Sequence, residues 1–366
     1  MSRRSSIHSN RLQAFGTQVM TTLQTVAVGT LLLCSASVYV SPQTVKALSV
    51  FTLGFPFLLL LAIVIGLLAL LFTPRRAWIT LLGLVLCSGT IRNYCPVNIP
   101  RSAPDSSWHV MTWNMGGTTW DDSSRTVLHT FLEKQRLDIL VVQEISSPNA
   151  GQLANCLKDQ MPYSRFLGDS QWYGHSIFSR WPILTGEKLT VSGANRAILY
   201  QIQSPLEDTL FVVSCHLQSM HLDSDVRSDY SAIVHRQETN RDSVQQTSNT
   251  LLRHIMDNGA LRALQADTIA QFLRAHAGRP VIVAGDFNDT PVSYTRQVIA
   301  EAAPLTDCFR ASGNGIGRSF NRDAIYVRID HLFCTENFKS YACRLEQTPI
   351  SDHYPLHGYL LPLKKE

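Results

Sequence analysis

The chain has 366 residues, and its 32 basic and 28 acidic side chains give a formal charge of +4. The charge is unevenly distributed: residues 1–104 contain eight basic residues and no Asp or Glu, so residues 105–366 keep 24 basic and 28 acidic residues and a charge of −4. This acidic balance argues against a protein that binds nucleic acid mainly through a basic surface. The lack of acids before residue 105, together with long apolar runs, indicates a membrane segment.

Three apolar runs follow a short N-terminal segment, residues 1–18. They lie within residues 19–92 and cover about 19–40, 47–72 and 77–91. A helix needs about 20 apolar residues to cross the hydrocarbon core of a membrane, so the second run is long enough and the third is short. A cleaved signal peptide would explain the first run but neither of the others. The sequence therefore predicts three transmembrane helices.

Basic residues near the ends of membrane spans are held on the cytoplasmic side, and their positions predict the orientation of the chain. Three precede the first run, two separate the second from the third, and one lies between the first two; they are Arg3, Arg4 and Arg11, then Arg75 and Arg76, and Lys46. With three spans, the N-terminus is cytoplasmic in a multi-pass protein of the cell (inner) membrane, and residues 105–366 lie outside, in the periplasm of a Gram-negative bacterium. With two spans they would face the cytoplasm.

Short strands alternate with helix-like stretches over residues 108–362, which predicts a layered α/β domain. A polar segment near residues 221–262 is predicted as an insertion that leads into a helix outside a sheet. Residues 93–107 are predicted as a linker, and at ~3.3 Å per residue it would reach about 50 Å from the membrane at most. We therefore expect a substrate at or near the membrane surface.

Acids, amides and histidines stand at the ends of several predicted strands. Any one of them, taken alone, is more often a turn residue. Together they would form one cleft, because the ends of strands in one sheet meet at a shared edge. Carboxylate and amide oxygens without a thiolate favour Mg²⁺ or Mn²⁺, and a histidine beside such a metal can donate a proton. The residues are Asn114, Glu144, His216, Asp286, Asn288, Asp330, Asp352 and His353.

The ordered motifs TWNMGG, VVQEIS, SRWPI, CHLQS, AGDFNDTP, RIDHLF and SDHYPL resemble those of the endonuclease/exonuclease/phosphatase superfamily, over about residues 108–362. The resemblance implies a four-layered α/β sandwich, in which two mixed sheets pack face to face and helices cover them outside. It also implies a hydrolase of phosphoric esters that acts by metal-assisted in-line attack of water on phosphorus. Deoxyribonucleases, neutral sphingomyelinases and inositol-polyphosphate phosphatases belong to this superfamily.

The resemblance assigns metal and water roles to five of the residues. Glu144 matches the principal metal ligand, and Asn114 and Asp352 lie close to the metal or its waters. Asn114 is also expected to bind substrate. Asp286 and Asn288 match the pair that orients and deprotonates the attacking water.

The resemblance assigns phosphate contacts to four more. His353 matches the histidine that contacts the scissile phosphate, and Asp330 matches the carboxylate that fixes its tautomer. His216 matches a second histidine of the deoxyribonuclease and sphingomyelinase branches, and Arg196 matches a phosphate-contacting arginine. One departure concerns His216: the glutamate that pairs with this histidine in deoxyribonuclease-like members would stand near QWYGHS, where the sequence has no acid.

The sequence thus predicts a membrane-anchored, divalent-metal-dependent phosphodiesterase or phosphatase, with a lipid or small ester preferred over duplex DNA. A DNA or RNA endonuclease of the same superfamily is the first alternative. A catalytically inactive, membrane-anchored binding module is the second, and Asp330 behind His353 argues against it, because a binding module needs no such pair. No protein partner is evident.

Overall fold

A computed structural model of the protein describes residues 2–116, 122–170, 173–190, 196–205, 208–219, 241–322 and 327–363. Its N-terminal part consists of helices joined by short turns. They are α1 (Ser2–Ser37), α2 (Leu48–Leu53), α3 (Phe55–Phe72), α4 (Trp78–Leu86) and α5 (Ser88–Tyr94). Two helical segments are long and apolar enough to cross a membrane, namely Gln13–Ser37 of α1 and all of α3.

The third apolar run differs from the single helix that the sequence suggested. It breaks at Cys87, where α4 ends and α5 begins, and neither piece alone is long enough to cross a membrane. Ser88 and Gly89 follow the break, and Gly in particular has a low helix propensity. The first part of the broken run, from Arg76 to Cys87, nevertheless lies along α1.

Contacts between the third run and α1 repeat every seven residues of α1. Arg76 donates from Nη1 to Thr21 Oγ1 at 2.6 Å, and Ser35 donates from Oγ to Cys87 Sγ at 3.3 Å. Between these two contacts, Gly83 lies against Val28. The fourteen residues from Thr21 to Ser35 rise about 21 Å along a helix, so the third run lies parallel to α1 across most of the helical layer.

Twelve strands are found in the described part of the chain, in two sheets of six. They are β1 (Trp108–Asn114), β2 (Ile139–Ile145), β3 (Tyr163–Ser170), β4 (Tyr173–Ser179), β5 (Ile183–Lys188), β6 (Arg196–Gln203), β7 (Thr209–His216), β8 (Val281–Asp286), β9 (Leu305–Asp307), β10 (Asp330–Thr335), β11 (Phe338–Leu345) and β12 (Leu356–Pro362). The first sheet has the order β11-β12-β1-β2-β4-β3 and the second β5-β6-β7-β8-β10-β9. The pairs β1–β2 and β7–β8 are parallel and the other pairs are antiparallel, so both sheets are mixed.

The two sheets face each other across a buried apolar core, which includes Val110 and Ile139 of the first sheet and Val212 and Ile282 of the second. A second cluster joins the outer face of the first sheet to two helices, and a third joins the outer face of the second sheet to two more. These helices are α6 (Asp122–Gln135) and α7 (Ser147–Leu157), then α8 (Arg241–Ala275) and α9 (Tyr294–Glu301). The predicted four-layered α/β sandwich is therefore confirmed. A short helix, α10 (Cys308–Ser312), follows β9.

The segment predicted as an insertion near residues 221–262 is described only in part. Residues 220–240 lie outside the described residues, and residues 241–262 belong to the long helix α8. The prediction of a helix outside a sheet at this place is confirmed, since Ala266 and Ile269 of α8 pack on the second sheet.

The α/β sandwich lies directly on the helical N-terminal part. The connector between α1 and α3 contacts α8: Lys46 Nζ lies 2.6 Å from Asp257 Oδ1, and Gln43 Nε2 donates to Asp267 Oδ2 at 2.8 Å. The first two residues of the predicted linker belong to α5, and residues 95–107 contain no helix or strand, yet Asn98 Nδ2 donates to the Gly313 carbonyl at 2.6 Å. Contacts of the connector and of the linker thus hold the sandwich against the helices. The linker therefore does not act as a free tether.

Candidate active site

Polar residues from five strand ends meet at one edge of the sandwich. Asn114 ends β1, Glu144 lies next to the end of β2, His216 ends β7 and Asp286 ends β8. In each parallel pair the carboxyl ends lie side by side, and the face-to-face packing of the sheets brings the two pairs together. Asp330 begins β10, which is antiparallel to β8, and lies directly opposite Asp286 in register. The sequence analysis expected these ends to share the edge of one sheet, but Asn114 and Glu144 come from the first sheet and the other three residues from the second.

Two backbone features shape this edge. Glu144 has a φ of +53°, at a register shift between Val142 and Ile145 where β2 pairs with β4. A positive φ is unfavourable for a residue with a side chain and is often retained where function requires it. Gly285 has a φ of +136°, and a Cβ there would clash with the Cys215 carbonyl oxygen of β7. Glycine therefore allows β8 to lie close to β7 just before Asp286.

The Asn114 amide joins the two central carboxylates. Its Nδ2 donates to Glu144 Oε1 at 2.9 Å and to Asp286 Oδ2 at 3.0 Å. Its Oδ1 accepts a hydrogen bond from the Gly116 backbone N–H at 2.9 Å, which fixes the orientation of the amide. Two buried carboxylates repel each other, and a shared donor reduces that cost. In this orientation Asn114 positions the acids, and its oxygen is occupied by Gly116.

His216 lies between Glu144 and a tyrosine that the sequence reasoning missed. His216 Nε2 is 3.2 Å from Glu144 Oε1, and its Nδ1 is 2.9 Å from the Tyr173 hydroxyl. Tyr173 stands in QWYGHS, where an acid was expected and none was found. Burial, with the charges of Glu144 and Asp286, raises the pKa of Tyr173 far above its usual value, so the hydroxyl stays protonated. The missing acid is therefore replaced by a neutral hydrogen-bonding partner.

The two histidines lie on opposite sides of the carboxylates and differ in their surroundings. His353 Nδ1 is 2.9 Å from Asp330 Oδ2, and His353 Nε2 is 3.8 Å from Asp286 Oδ2. Burial alone would lower the pKa of His353, but Asp330 and Asp286 outweigh it and raise the pKa to about 10. Trp113 Nε1 also donates to the His353 carbonyl at 2.9 Å. His353 is therefore a rigidly held imidazolium at neutral pH.

Glu144 and Asp286 also differ in their affinity for protons. Burial raises the pKa of Glu144, but hydrogen bonds from His216 and Asn114, with the charge of His216, bring it down to about 2. Burial and the charge of Asp330 raise the pKa of Asp286 above its usual value, against the opposing charges of His353 and His216. Glu144 is thus a permanent anion, whereas Asp286 is the better proton acceptor.

Asn288 completes the position of Asp286. Its backbone N–H donates to Asp286 Oδ1 at 2.7 Å, and its Nδ2 donates to Asp286 Oδ2 at 3.2 Å and to the Leu217 carbonyl at 2.9 Å. Asn288 has a φ of +51°, which turns the chain sharply after β8. Asp286 and Asn288, which the resemblance pairs, are therefore adjacent, and the Asn288 amide contacts the Asp286 carboxylate.

The donor atoms fit a hard divalent cation. One group consists of Glu144, His216 and Asp286, another of Asp286, Asp330 and His353, and the ligand atoms within each group lie within 4.8 Å of one another. Carboxylates with imidazole and no thiolate are the donors that Mg²⁺ and Mn²⁺ accept. Glu144, the permanent anion, is therefore the residue best placed to hold the metal, with Asp286 beside it as the proton acceptor.

Two predicted residues lie at the border of these groups. Asp352 belongs to neither group; its Oδ2 is 3.5 Å from Arg322 Nε, and its Oδ1 lies against Gly116. Arg196 begins β6 and is the register partner of His216 on β7, so it lies at the same edge of the second sheet. The ligand role of Asp352 and the phosphate contact of Arg196 stay predictions.

The family of the chain follows from its sequence match. Residues 111–353 match the Endonuclease/Exonuclease/phosphatase family, which is more than half of the chain. The chain belongs to this family. It is a hydrolase of phosphoric ester bonds, and the enzymes of this family use divalent metals. Residues 17–94, which include the apolar runs, match a domain of unknown function, DUF8431.

Three solved structures are also similar to the chain. The catalytic domain of human Nocturnin with bound sulfate is 14% identical, with 72% of this chain and 96% of that chain covered and a TM-score of 0.49. An endonuclease/exonuclease/phosphatase from Beutenbergia cavernae is 19% identical, with 70% and 72% covered and a TM-score of 0.47. A humanized D. rerio TDP2 is 16% identical, with 70% and 99% covered and a TM-score of 0.47. No curated protein matches the sequence.

Proposed function

We propose that the chain is a membrane-anchored phosphodiesterase or phosphatase that uses Mg²⁺ or Mn²⁺. The observation that carries the proposal is the single amide of Asn114, which holds Glu144 and Asp286 together. The imidazolium of His353 lies on the far side of Asp286. A permanent anion, a proton acceptor and a cationic donor within one cluster are the groups that phosphoryl transfer to water requires.

The chemistry divides among the residues as follows. A divalent cation held by Glu144 beside Asp286 would supply charge neutralisation on the phosphate and Lewis-acid polarisation of its oxygen. Asp286 takes a proton from the attacking water at Oδ2, since its pKa is raised and Asn288 holds the carboxylate in place. His353 donates from Nε2 to the phosphate, because Asp330 holds the proton-bearing Nδ1 on the other side of the ring. His216 and Arg196 lie beside each other and are assigned to the ester's other oxygens.

The membrane orientation rests on how the third run lies beside α1. The connector between α1 and α3 and the end of α5 lie at one end of the helical part, whereas Arg75 and Arg76 lie at the other. The catalytic sandwich contacts the connector through Lys46 and is therefore at the end opposite the two arginines. Because basic residues are retained in the cytoplasm, we place the sandwich outside, as the sequence predicted.

A protease assay tests this orientation. Protease added to cells with a permeabilised outer envelope is expected to digest residues 105–366. Digestion that occurs only after lysis would reverse the assignment. The same samples, extracted with alkaline carbonate, test the anchoring itself, because an anchored chain stays in the pellet and a merely adsorbed one is released.

The substrate is proposed to be a phosphate ester of a lipid or a small molecule. Two features support this preference: the charge of −4 on residues 105–366, and the direct contact of the sandwich with the membrane-anchored helices. The test is a side-by-side assay of the full chain in detergent with Mg²⁺ or Mn²⁺ against phospholipid, a synthetic phosphodiester, a synthetic phosphomonoester and plasmid DNA. Rapid nicking of the plasmid that His353→Ala abolishes, without cleavage of the other substrates, would make the protein a nuclease.

A further inference from the structure

A cavity separate from the catalytic carboxylates lies where the sandwich meets the helical part. It has a volume of about 820 Å³. One wall is formed by the ends of α1 and α4, through apolar side chains such as Leu32, Ala36 and Leu86. The opposite wall is formed by α9, β9 and α10 of the sandwich, through Arg296, Asp307 and Arg310. None of the proposed catalytic residues lines this cavity.

The side chains that line the cavity carry an excess of positive charge. Arg296 Nη2 and Asp307 Oδ2 form a buried ion pair at 2.9 Å, which neutralises one arginine. Arg92 and Arg310 also line the cavity, and against these two stands one further carboxylate, Glu301. Glu301 accepts a hydrogen bond from the Gln297 side chain on the same helix.

A fourth arginine adds to this charge from behind the wall. Arg328 is fully buried, with its guanidinium 4.1 Å from the Phe309 ring centroid, and it donates to the carbonyls of Ile316 and Asn93. Burial alone would raise the pKa of Asp307, but the charges of Arg296 and Arg328 outweigh it and lower that pKa. The single buried carboxylate is thus shared between two arginines.

Arg310 is the arginine with the least compensation. Its guanidinium forms no hydrogen bond or ion pair with any residue that the structure describes. Burial first, and then the neighbouring charges of Arg296 and Arg92, lower the pKa of Arg310, against the opposing charge of Asp307. A cation repelled by two neighbouring cations is stabilised when an anion binds beside it.

The apolar wall indicates what kind of anion fits. Leu86 is 63% exposed and Tyr39 is 65% exposed, and both border the cavity on the side of the helices. In the proposed orientation these positions lie at the outer end of the spans, at the depth where lipid headgroups meet acyl chains. Guanidinium groups bind phosphate oxygens in a bidentate manner, and apolar helix faces accept acyl chains.

We propose that this cavity binds an anionic phospholipid, with its phosphate at Arg310 and Arg92 and its acyl chains along α1 and α4. The proposal rests on the membrane anchoring argued above and is independent of the hydrolytic reaction. It assigns to the cavity a lipid that holds the sandwich on the membrane, at a site other than the one where phosphate esters are cleaved.

The test uses the full chain purified in detergent, with chelator present so that no metal-dependent turnover consumes the lipid. Thermal unfolding is measured while phosphatidylglycerol, phosphatidylcholine or inorganic phosphate is added. Phosphatidylglycerol is expected to raise Tm in a saturable manner, because a ligand of the folded state stabilises it, whereas the other two leave Tm unchanged at equal phosphate concentration. Arg310→Gln is expected to increase the half-saturating concentration about tenfold or more, and Arg92→Gln to act in the same direction.

Arg101→Gln is the matched control, because it removes one exposed positive charge from the segment after α5 and does not line the cavity. It should leave the titration unchanged, and Arg310→Gln should retain hydrolysis of a soluble diester. Equal stabilisation by phosphatidylcholine or by inorganic phosphate would overturn the proposal, as would a phosphatidylglycerol titration that neither arginine variant alters. Alkaline carbonate extraction of membranes from the cells that produce each variant shows separately whether the anchoring has failed.

Discussion

His353 and Asp330 form a buried hydrogen-bonded pair in which Nδ1 lies 2.9 Å from Oδ2. The two residues are 23 positions apart and come from different sheets, since Asp330 begins β10 and His353 precedes β12. The pair keeps the second ring nitrogen, Nε2, directed at Asp286 and keeps the ring charged at neutral pH. Its function is therefore testable through Asp330, which does not contact the substrate.

Asp330→Asn is expected to lower kcat by about 10²-fold with little change in KM, because a positioned charge on the phosphate is lost. The pH profile gives the sharper test. His353 must be protonated, so activity is lost as pH rises through its folded pKa of about 10. Without the Asp330 charge this pKa falls, and the alkaline limb moves to lower pH. An unchanged alkaline limb in Asp330→Asn would show that another group controls it.

Tyr173→Phe removes only the hydroxyl that contacts His216 Nδ1 at 2.9 Å. We expect kcat to fall about tenfold while KM stays within about twofold, because the ring orientation of His216 is lost and binding is retained. Tyr173→Glu gives His216 a carboxylate partner, which is what the resemblance to deoxyribonuclease-like members implies at this place. This variant should therefore recover most of the kcat that Tyr173→Phe loses. Equal losses in Tyr173→Phe and Tyr173→Glu would contradict a positioning role.

Two buried histidines, His109 near the start of β1 and His357 near the start of β12, are expected to make the free energy of unfolding depend on pH. His109 Nε2 and His357 Nδ1 are 2.8 Å apart. Burial lowers the pKa of His109 to about 4, and burial with the charges of Arg344 and His109 lowers the pKa of His357 to about 2. The unfolded chain binds these protons at about pH 6.5, so the stability they contribute is complete above pH 6.5 and is lost as pH falls toward 4.

The corresponding measurement is thermal unfolding of the full chain in detergent between pH 5.0 and 7.5. His357→Gln should remove about one proton from the uptake on unfolding and so flatten the acid side of the Tm profile. The comparison is with the unsubstituted chain under the same conditions. Parallel profiles for the two proteins would show that the pair is not buried in its neutral form.

We expect the missing side chain at Gly259 of α8 to allow close contact between the sandwich and the connector. A Cβ at this position would clash with the Ser49 side chain of α2. A Gly→Ala substitution inside a helix usually stabilises the helix by about 1 kcal/mol. In Gly259→Ala the clash with Ser49 opposes this stabilisation. Gly151→Ala on α7 is the matched control, because nothing lies within 4 Å of a Cβ there.

Limited proteolysis of the connector, residues 38–54, provides the measurement. Gly259→Ala should increase cleavage there, Gly151→Ala should not, and Ser49→Gly combined with Gly259→Ala should restore protection. Undiminished protection in Gly259→Ala alone would mean that the connector is not held against α8.

The sequence predicted the sandwich and most of the site because each polar residue stands at the end of its own apolar strand, although these ends come from two sheets and not from one. Asp286 and Asn288 are adjacent because they are two positions apart in the turn after β8. Tyr173 was missed because a tyrosine at a strand start is an ordinary residue, and only the contact with His216 gives it a role. The contact between Gln43 and Asp267 joins residues 224 positions apart, and neither position carries a local signal for it.

The direct test of the central claim compares two aspartates three residues apart. Asp286 is buried between Asn114 and Asn288, whereas Asp289 lies outside both candidate metal groups, 3.5 Å from Arg262 Nε. Hydrolysis of a synthetic phosphodiester by the full chain is measured with Mg²⁺, with Mn²⁺ and with chelator. Asp286→Asn should lower the rate by about 10²-fold or more, as chelation should, whereas Asp289→Asn should retain activity within about threefold. Activity that survives both chelation and Asp286→Asn would contradict a metal-dependent reaction at this site.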